Sequence, residues 1–341
     1  MTTHRMRLTQ RLLTLALILT LGLAACATPS LAPTATSEPT ATSAPTATPE
    51  PTATPEPTHR PTPEPIMLTD DLGAEVVLEA PATRIVSLAP SNTEIAFALG
   101  MGQRLVGVTD FCDFPPAAQE IQSIGGVEPN LEQIVALEPD LVLAIGGDPV
   151  PAANAELRDL GLNVLALAPD SLDDVYRDIE LVGRAAGAED AAQTLVEEMG
   201  ARVAAVEAKT AELAEAERPL VFYELDATDP SKPWTAGPGS WHQRFIELAG
   251  ATNLAGDQES AWVQLNAEEI VARDPDVIVL GDAAWGVSPE SVAERPGWGG
   301  ISAVENDRVY PIDDNLISRP GPRVVEGIET LAGLIHPDLF E

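Results

Sequence analysis

The stretch Ala188–Glu217, AEDAAQTLVEEMGARVAAVEAKTAELAEAE, constrains this chain more than any other. It holds no Pro, a single Gly and a run of strong helix formers, with Leu195, Met199, Val203, Val206 and Leu213 recurring at helical spacings on one face. The pattern predicts one amphipathic helix of about 30 residues, roughly 45 Å long at ~1.5 Å per residue, too long for an ordinary crossover and long enough to join two domains. Matching material flanks it. NLEQIVALEPDLVLA, Asn130–Ala144, precedes it and NAEEIVARDPDVIVLG, Asn266–Gly281, follows. Each reads as an Asn cap, a short helix with Gln133 or Glu269 completing a capping box, a Pro-Asp stop and a strand. One such unit on each side of a long connector implies two similar α/β lobes with a cleft between them.

The amino terminus reads as an address. Arg5, Arg7 and Arg11 precede the apolar run Leu12–Leu23, which is too short to span a bilayer comfortably, and Leu23-Ala24-Ala25-Cys26 follows. That ending resembles a bacterial lipobox, in which the Cys is diacylated and becomes the first mature residue. The expected plan is therefore a signal over 1–25 and a lipidated Cys26 opening a Pro/Thr-rich tether over 26–66. An N-terminal α/β lobe over 67–187, the connecting helix over 188–217 and a C-terminal α/β lobe over 218–341 complete it. The tether repeats PTATPEP and favours extended polyproline II geometry, ~3.1 Å per residue.

The only other cysteine, Cys112, then has no intramolecular partner. Its neighbours Asp110 and Asp113 disfavour a thiolate, so it reads as a small packing residue. The formal charge is −34 before the signal arginines are removed, which argues against nucleic acid or anionic headgroups as partners.

Along the folded part, strand 84–88 runs into Pro90-Ser91-Asn92-Thr93-Glu94, where a Ser91/Glu94 capping box is expected. Ser91 and Asn92 lie where open α/β sheets present ligand-binding groups, so each is either a cap or a cleft residue. Phe111 sits in a loop beyond strand 105–108, and Trp234, Trp241 and His242 in a Gly-rich loop before a helix. Trp262 precedes the second repeat, and Trp285 and Trp298 follow its strand. Arg319 and Arg323 suit a ligand carboxylate, amide or phosphate, or an internal salt bridge. No nucleophile with its base, phosphate cradle or metal cage has a recognisable motif, and no cofactor is expected. His242 is either an axial ligand to a metal in a macrocycle or a plain helix-start residue.

RIVSLAPSNTEIAFALGMGQRLVGVTDFCDFPP, NLEQIVALEPDLVLA, WTAGPGSWHQRFIELAGATNLA and RPGPRVVEGIETLAGLIHP together resemble the helical-backbone substrate-binding proteins of ABC importers, especially their cobalamin-binding branch. The resemblance spans about residues 85–337. It implies an α/β fold of two Rossmann-like lobes joined by one long, rigid α-helix, with the ligand between them. It also implies a monomeric, non-enzymatic, lipid-anchored receptor outside the cell membrane that binds a corrinoid, foremost cobalamin, and delivers it to the importer's membrane subunits. Glu132 and Glu268, at equivalent places in the two repeats, carry over as docking residues for arginines of those subunits. Read from the sequence alone, they are first-turn acids favourable to a helix dipole. Phe111, Trp234 and Trp262 carry over as cleft aromatics, with Ser91, Asn92 and Arg319 as polar groups. The chain departs from some relatives in having Gly126 and Ile145 where they carry tryptophans. Haem or a ferric siderophore is the alternative ligand, and a tethered adhesion or sensory module the alternative of another class.

Overall fold

A computed structural model describes residues 64–146 and 151–340, all within the unit Pro61–Glu341. The signal, Cys26 and most of the tether lie outside the described residues. The first lobe opens with a hairpin of β1 (Ile66–Thr69) and β2 (Glu75–Leu78), whose Leu68, Val76 and Leu78 alternate inward. Then come β3 (Ile85–Ser87), α1 (Pro90–Ala98), β4 (Leu105–Val108), α2 (Leu131–Ala136), β5 (Leu141–Ile145), α3 (Pro151–Asp159), β6 (Val164–Leu167) and α4 (Leu172–Ala186). The sheet is parallel, in the order β4-β3-β5-β6. Helices cover both of its faces, which explains why β5 and β6 are apolar at almost every position rather than alternating.

α5 (Glu189–Thr210) is the connector, and it stops well short of the expected Glu217. The Ala/Glu composition would carry a helix further, but packing overrides it. Thr210 is buried, its hydroxyl donates to the Leu248 carbonyl at 3.0 Å, and a Cβ at Gly250 would come within 2.9 Å of its side chain. The chain must turn there to enter the second lobe. Early in its length α5 packs on α4, where Gly183 lets Ala192 approach closely. Its later turns meet the second lobe, with Met199, Val203 and Val206 in one core that includes residues of both lobes.

The second lobe comprises β7 (Leu220–Asp226), β8 (Trp234–Ala236), α6 (Trp241–Leu248), β9 (Thr252–Asn253), β10 (Trp262–Gln264), α7 (Ala267–Arg273), β11 (Val277–Leu280), α8 (Pro289–Ala293), α9 (Ser302–Glu305), β12 (Val309–Pro311), α10 (Asn315–Ser318), α11 (Val324–Ile335) and α12 (Pro337–Phe340). Its sheet order is β10-β8-β7-β11-β12, with β9 beside the start of β7. β7, β11 and β12 are parallel, whereas β8 and β10 form an antiparallel ribbon on the edge. The two repeats become α2-β5 and α7-β11, each strand lying parallel to its lobe's first core strand. Their Pro-Asp stops do matching work: Asp140 accepts from the Thr83 and Arg84 amides before β3, and Asp276 accepts from the Leu220 amide that opens β7. Only one expected cap forms. Asn130 accepts from the Gln133 amide, but Asn266 makes no side-chain cap, and Glu269 pairs instead with Arg273 at 2.7 Å.

Candidate functional site

In each lobe the parallel strands deliver their carboxyl ends, and the loops that follow, to one edge of the sheet. Among the described residues, the two edges meet at the segment before α11. A Cβ on Gly321, which precedes α11, would lie 3.3 Å from the Ser91 carbonyl, and Arg319 reaches Asp113 of the loop after β4. The facing edges define the cleft.

Phe111, 50% exposed, Trp234, 42%, and Trp262, 49%, stand open on these edges, as do Phe114, 40%, after β4 and Trp285, 88%, after β11. Phe111 follows β4, and its ring lies beside Gly126, where an added Cβ would be 3.6 Å away. The ring thus takes the space that a side chain at position 126 would enter. Trp234 and Trp262 sit on the β8-β10 ribbon rather than in loops, because Trp262 pairs with Ala236 and Trp234 with Gln264. Large apolar side chains left this open favour a ligand that covers them.

Ser91 and Asn92 do not reach the cleft. α1 begins at Pro90 with Ala89 as its cap, so the expected Ser91/Glu94 capping box is absent. Ser91 is buried beneath Gly321, and the buried Asn92 amide donates to the Ala144 carbonyl at 3.0 Å, tying α1 to β5. Glu94 instead points, buried, toward Arg319 and Arg323. Arg319 is committed to Asp113 and Glu94, across the lobes rather than within one.

His242 is buried. Its Nε2 lies 3.2 Å from Asp314 Oδ1, and its ring stands edge-on to Tyr223 at 4.8 Å and to Trp262 at 5.7 Å. The Tyr223 hydroxyl donates to the same Asp314 oxygen at 2.7 Å, and Ser318 donates to the other. Burial pushes the Asp314 carboxyl up, but its bonds from His242, Ser318 and Tyr223 outweigh that and hold it below the usual range. This cluster backs Trp262, and His242 has no open face for a macrocycle metal. Among the other tryptophans, Trp298 is core, edge-on to Phe222 and under Arg295, Trp241 packs on Phe245, and Trp285 is almost fully exposed.

Glu132 and Glu268 are each the second residue of their helix, α2 and α7, and both are exposed. No motif in the sequence marks the buried pair Glu224–Arg295 or the buried Asp282, which accepts from the Ala227 amide at 2.9 Å. Burial first, and then Glu224, pushes Asp282 up to about 6. Asp282 and Glu224 brace the loops beyond β7 and β11. Glu94, expected to complete a capping box, is instead a buried acid, and its place within the run SNTEIAFA is a usable signal for that. A cavity of about 640 Å³ lies between the starts of α4 and α6 against α5, lined by Tyr176, Gly200, Glu207, Trp241 and Arg244 among others, and the exposed aromatics do not line it.

Residues 85–316 match the family described as periplasmic binding protein. The "uncharacterized ABC transporter substrate-binding lipoprotein YvrC" of Bacillus subtilis is 38% identical over 280 residues, 81% of this chain and 87% of that protein. The crystal structure of the periplasmic vitamin B12 binding protein BtuF of Vibrio cholerae superposes with a TM-score of 0.64 at 28% identity, covering 76% of this chain and 99% of that one. The periplasmic heme-binding protein RhuT of Roseiflexus sp. RS-1, in apo form, gives a TM-score of 0.67 at 28% identity, covering 76% of this chain and 100% of that one.

Proposed function

Because this chain belongs to the periplasmic binding protein family, we propose that it is an extracytoplasmic receptor, lipid-anchored through Cys26, that binds a corrinoid and delivers it to an ABC importer. Cobalamin is the ligand we favour. The observation that carries this reading is the set of half-exposed aromatics, Phe111, Trp234 and Trp262, on the facing sheet edges. Together they offer apolar walls to a broad, flat ligand, whose affinity comes mostly from covering them. Similarity to vitamin B12-binding proteins supports the same ligand class.

Charge favours a corrinoid over its rivals. Asp110, Asp113, Asp226, Asp229 and Asp313 crowd the edges, while Arg319 and Arg323 already face carboxylates. Haem brings two propionates and many ferric siderophores are anionic, so both meet an unfavourable field; a corrinoid is rich in neutral amides and carries no excess negative charge. The receptor performs no bond chemistry in this reading, in keeping with a solute-binding family.

Calorimetric titration with cyanocobalamin, dicyanocobinamide, haemin and a ferric hydroxamate tests it. One-to-one binding of the corrinoids is expected, weakened about tenfold by Trp262→Ala or Phe111→Ala, the equivalent of ~1.4 kcal/mol for one lost aromatic wall. Binding of haemin or hydroxamate without either corrinoid would overturn the ligand and leave the family intact.

A further inference from the structure

We propose that Glu94 and Asp113 of the first lobe, with Arg319 and Arg323 of the second, form an inter-lobe clasp that tightens as ligand closes the cleft and releases a proton in doing so. The ligand used as probe rests on the function proposed above; the clasp rests on its own geometry.

The segment Arg319-Pro320-Gly321-Pro322-Arg323 is seated closely against α1 at Gly321, where an added Cβ would lie 3.3 Å from the Ser91 carbonyl oxygen. The seating carries two guanidinium groups to one buried carboxylate. The Glu94 side chain is 2% exposed, and Arg319 Nη1 and Arg323 Nη1 lie 3.5 and 3.6 Å from its Oε1. Neither Glu94 oxygen has a hydrogen-bond partner, and Arg323 Nε, also buried, has none. Good N–H···O bonds are about 2.9 Å long, so these contacts fall short by roughly half an ångström. A small inward shift of the second lobe would turn them into charge-assisted hydrogen bonds, the stronger kind.

The groups facing Glu94 are Arg323 and Arg319 from the second lobe and Asp113 from its own. Arg319 is shared with Asp113, and Arg323 lies 4.0 Å over the Phe114 ring and looks outward to Asp313 at 3.6 Å and Glu326 at 3.8 Å. Burial dominates and raises Glu94 to about 7 against the pull of the two arginines. As found, the clasp therefore holds a proton for part of the time near neutrality. Direct hydrogen bonds from the arginines favour the carboxylate, so closing expels that proton. The sign follows: below pH 7 closure must remove a proton from Glu94, so affinity rises with pH between about 5.5 and 7.5 and levels off above.

Calorimetry with cyanocobalamin, which does not titrate in this range, in buffers of different ionisation enthalpy at pH 6.5 counts the protons released. Several tenths of a proton per site are expected in the wild type and none in Glu94→Gln, whose affinity should also lose its pH dependence. Tight binding without proton release, or the same release from Glu94→Gln, overturns the clasp. If cyanocobalamin does not bind, the ligand proposal fails and the clasp is read from amide hydrogen exchange of residues 319–324, corrected for intrinsic rates. Protection should then grow from pH 5.5 to 8 in the wild type and stay flat in Glu94→Gln. Flat protection in the wild type overturns the clasp independently of any ligand.

Discussion

Asp178 is the residue at which this fold answers most directly to pH. It lies buried on α4, and neither carboxylate oxygen has a partner. Its neighbour Asp71 is already held by the Ala168 amide at 2.6 Å and by Arg177 at 3.0 Å. Burial first, and then the Asp71 charge, pushes Asp178 up to about 8 from an ordinary value of 3.8. The folded state thus keeps a proton that the unfolded chain gives up near pH 4, and stability falls as pH rises from there through about 8. Asp178→Asn keeps the size of the side chain and removes the ionisation. Differential scanning calorimetry should find a flatter decline between pH 6 and 9 and, at pH 8, a gain of about 2 kcal/mol, roughly 5 °C; an unchanged slope would remove Asp178 from the account. This acid is illegible in the sequence because amphipathic spacing shows which face a residue occupies but not what opposes it.

The element that matters most to the cleft is the β8-β10 ribbon, because it carries both Trp234 and Trp262. It is held where the chain crosses itself: the Gly237 amide donates to the Ala261 carbonyl at 2.9 Å, and a Cβ on Gly237 would fall 2.2 Å from the Ser260 carbonyl oxygen. Backbone cannot yield as a flexible side chain can. Gly237→Ala is therefore expected to cost about 2 kcal/mol of stability by forcing the strands apart, and to weaken corrinoid binding at least tenfold while the α-helical circular dichroism persists. Urea unfolding and calorimetric titration on one preparation check both, and unaltered affinity would show that the ribbon does not set the tryptophans. The sequence marks Gly237 and Trp234 as a site within one loop, whereas Trp234 lies on β8 and only Gly237 lies beyond it. Three-residue strands are too short to show alternation, and β8 and β10 exist only because β7 offers them an edge.

For the whole molecule the repeated unit is the key, since it puts Glu132 and Glu268 at the same position of equivalent helices, exposed, one on each lobe. A receptor that docks through both onto a two-fold-related pair of membrane subunits should lose uptake when both are reversed. Glu132→Arg with Glu268→Arg is expected to lower uptake of labelled cobalamin more than tenfold, in cells that depend on this receptor, and to leave the dissociation constant within twofold. Full uptake would return both acids to the plain helix-dipole role. The sequence by itself determined the fold class, the two α/β units, the connecting helix and the family. The first three follow from periodicity and the repeated motif, which local stretches of chain carry, and the family from the resemblance of whole stretches in their order. Only the tertiary structure decided that the helix stops at Thr210, that Ser91 and Asn92 are sealed beneath Gly321, that His242 is buried against Asp314, and that Arg319 and Arg323 cross from one lobe to the other. Each of those depends on which surfaces meet across long separations in the chain, and burial, unpaired carboxylates and close backbone approach arise only where they do.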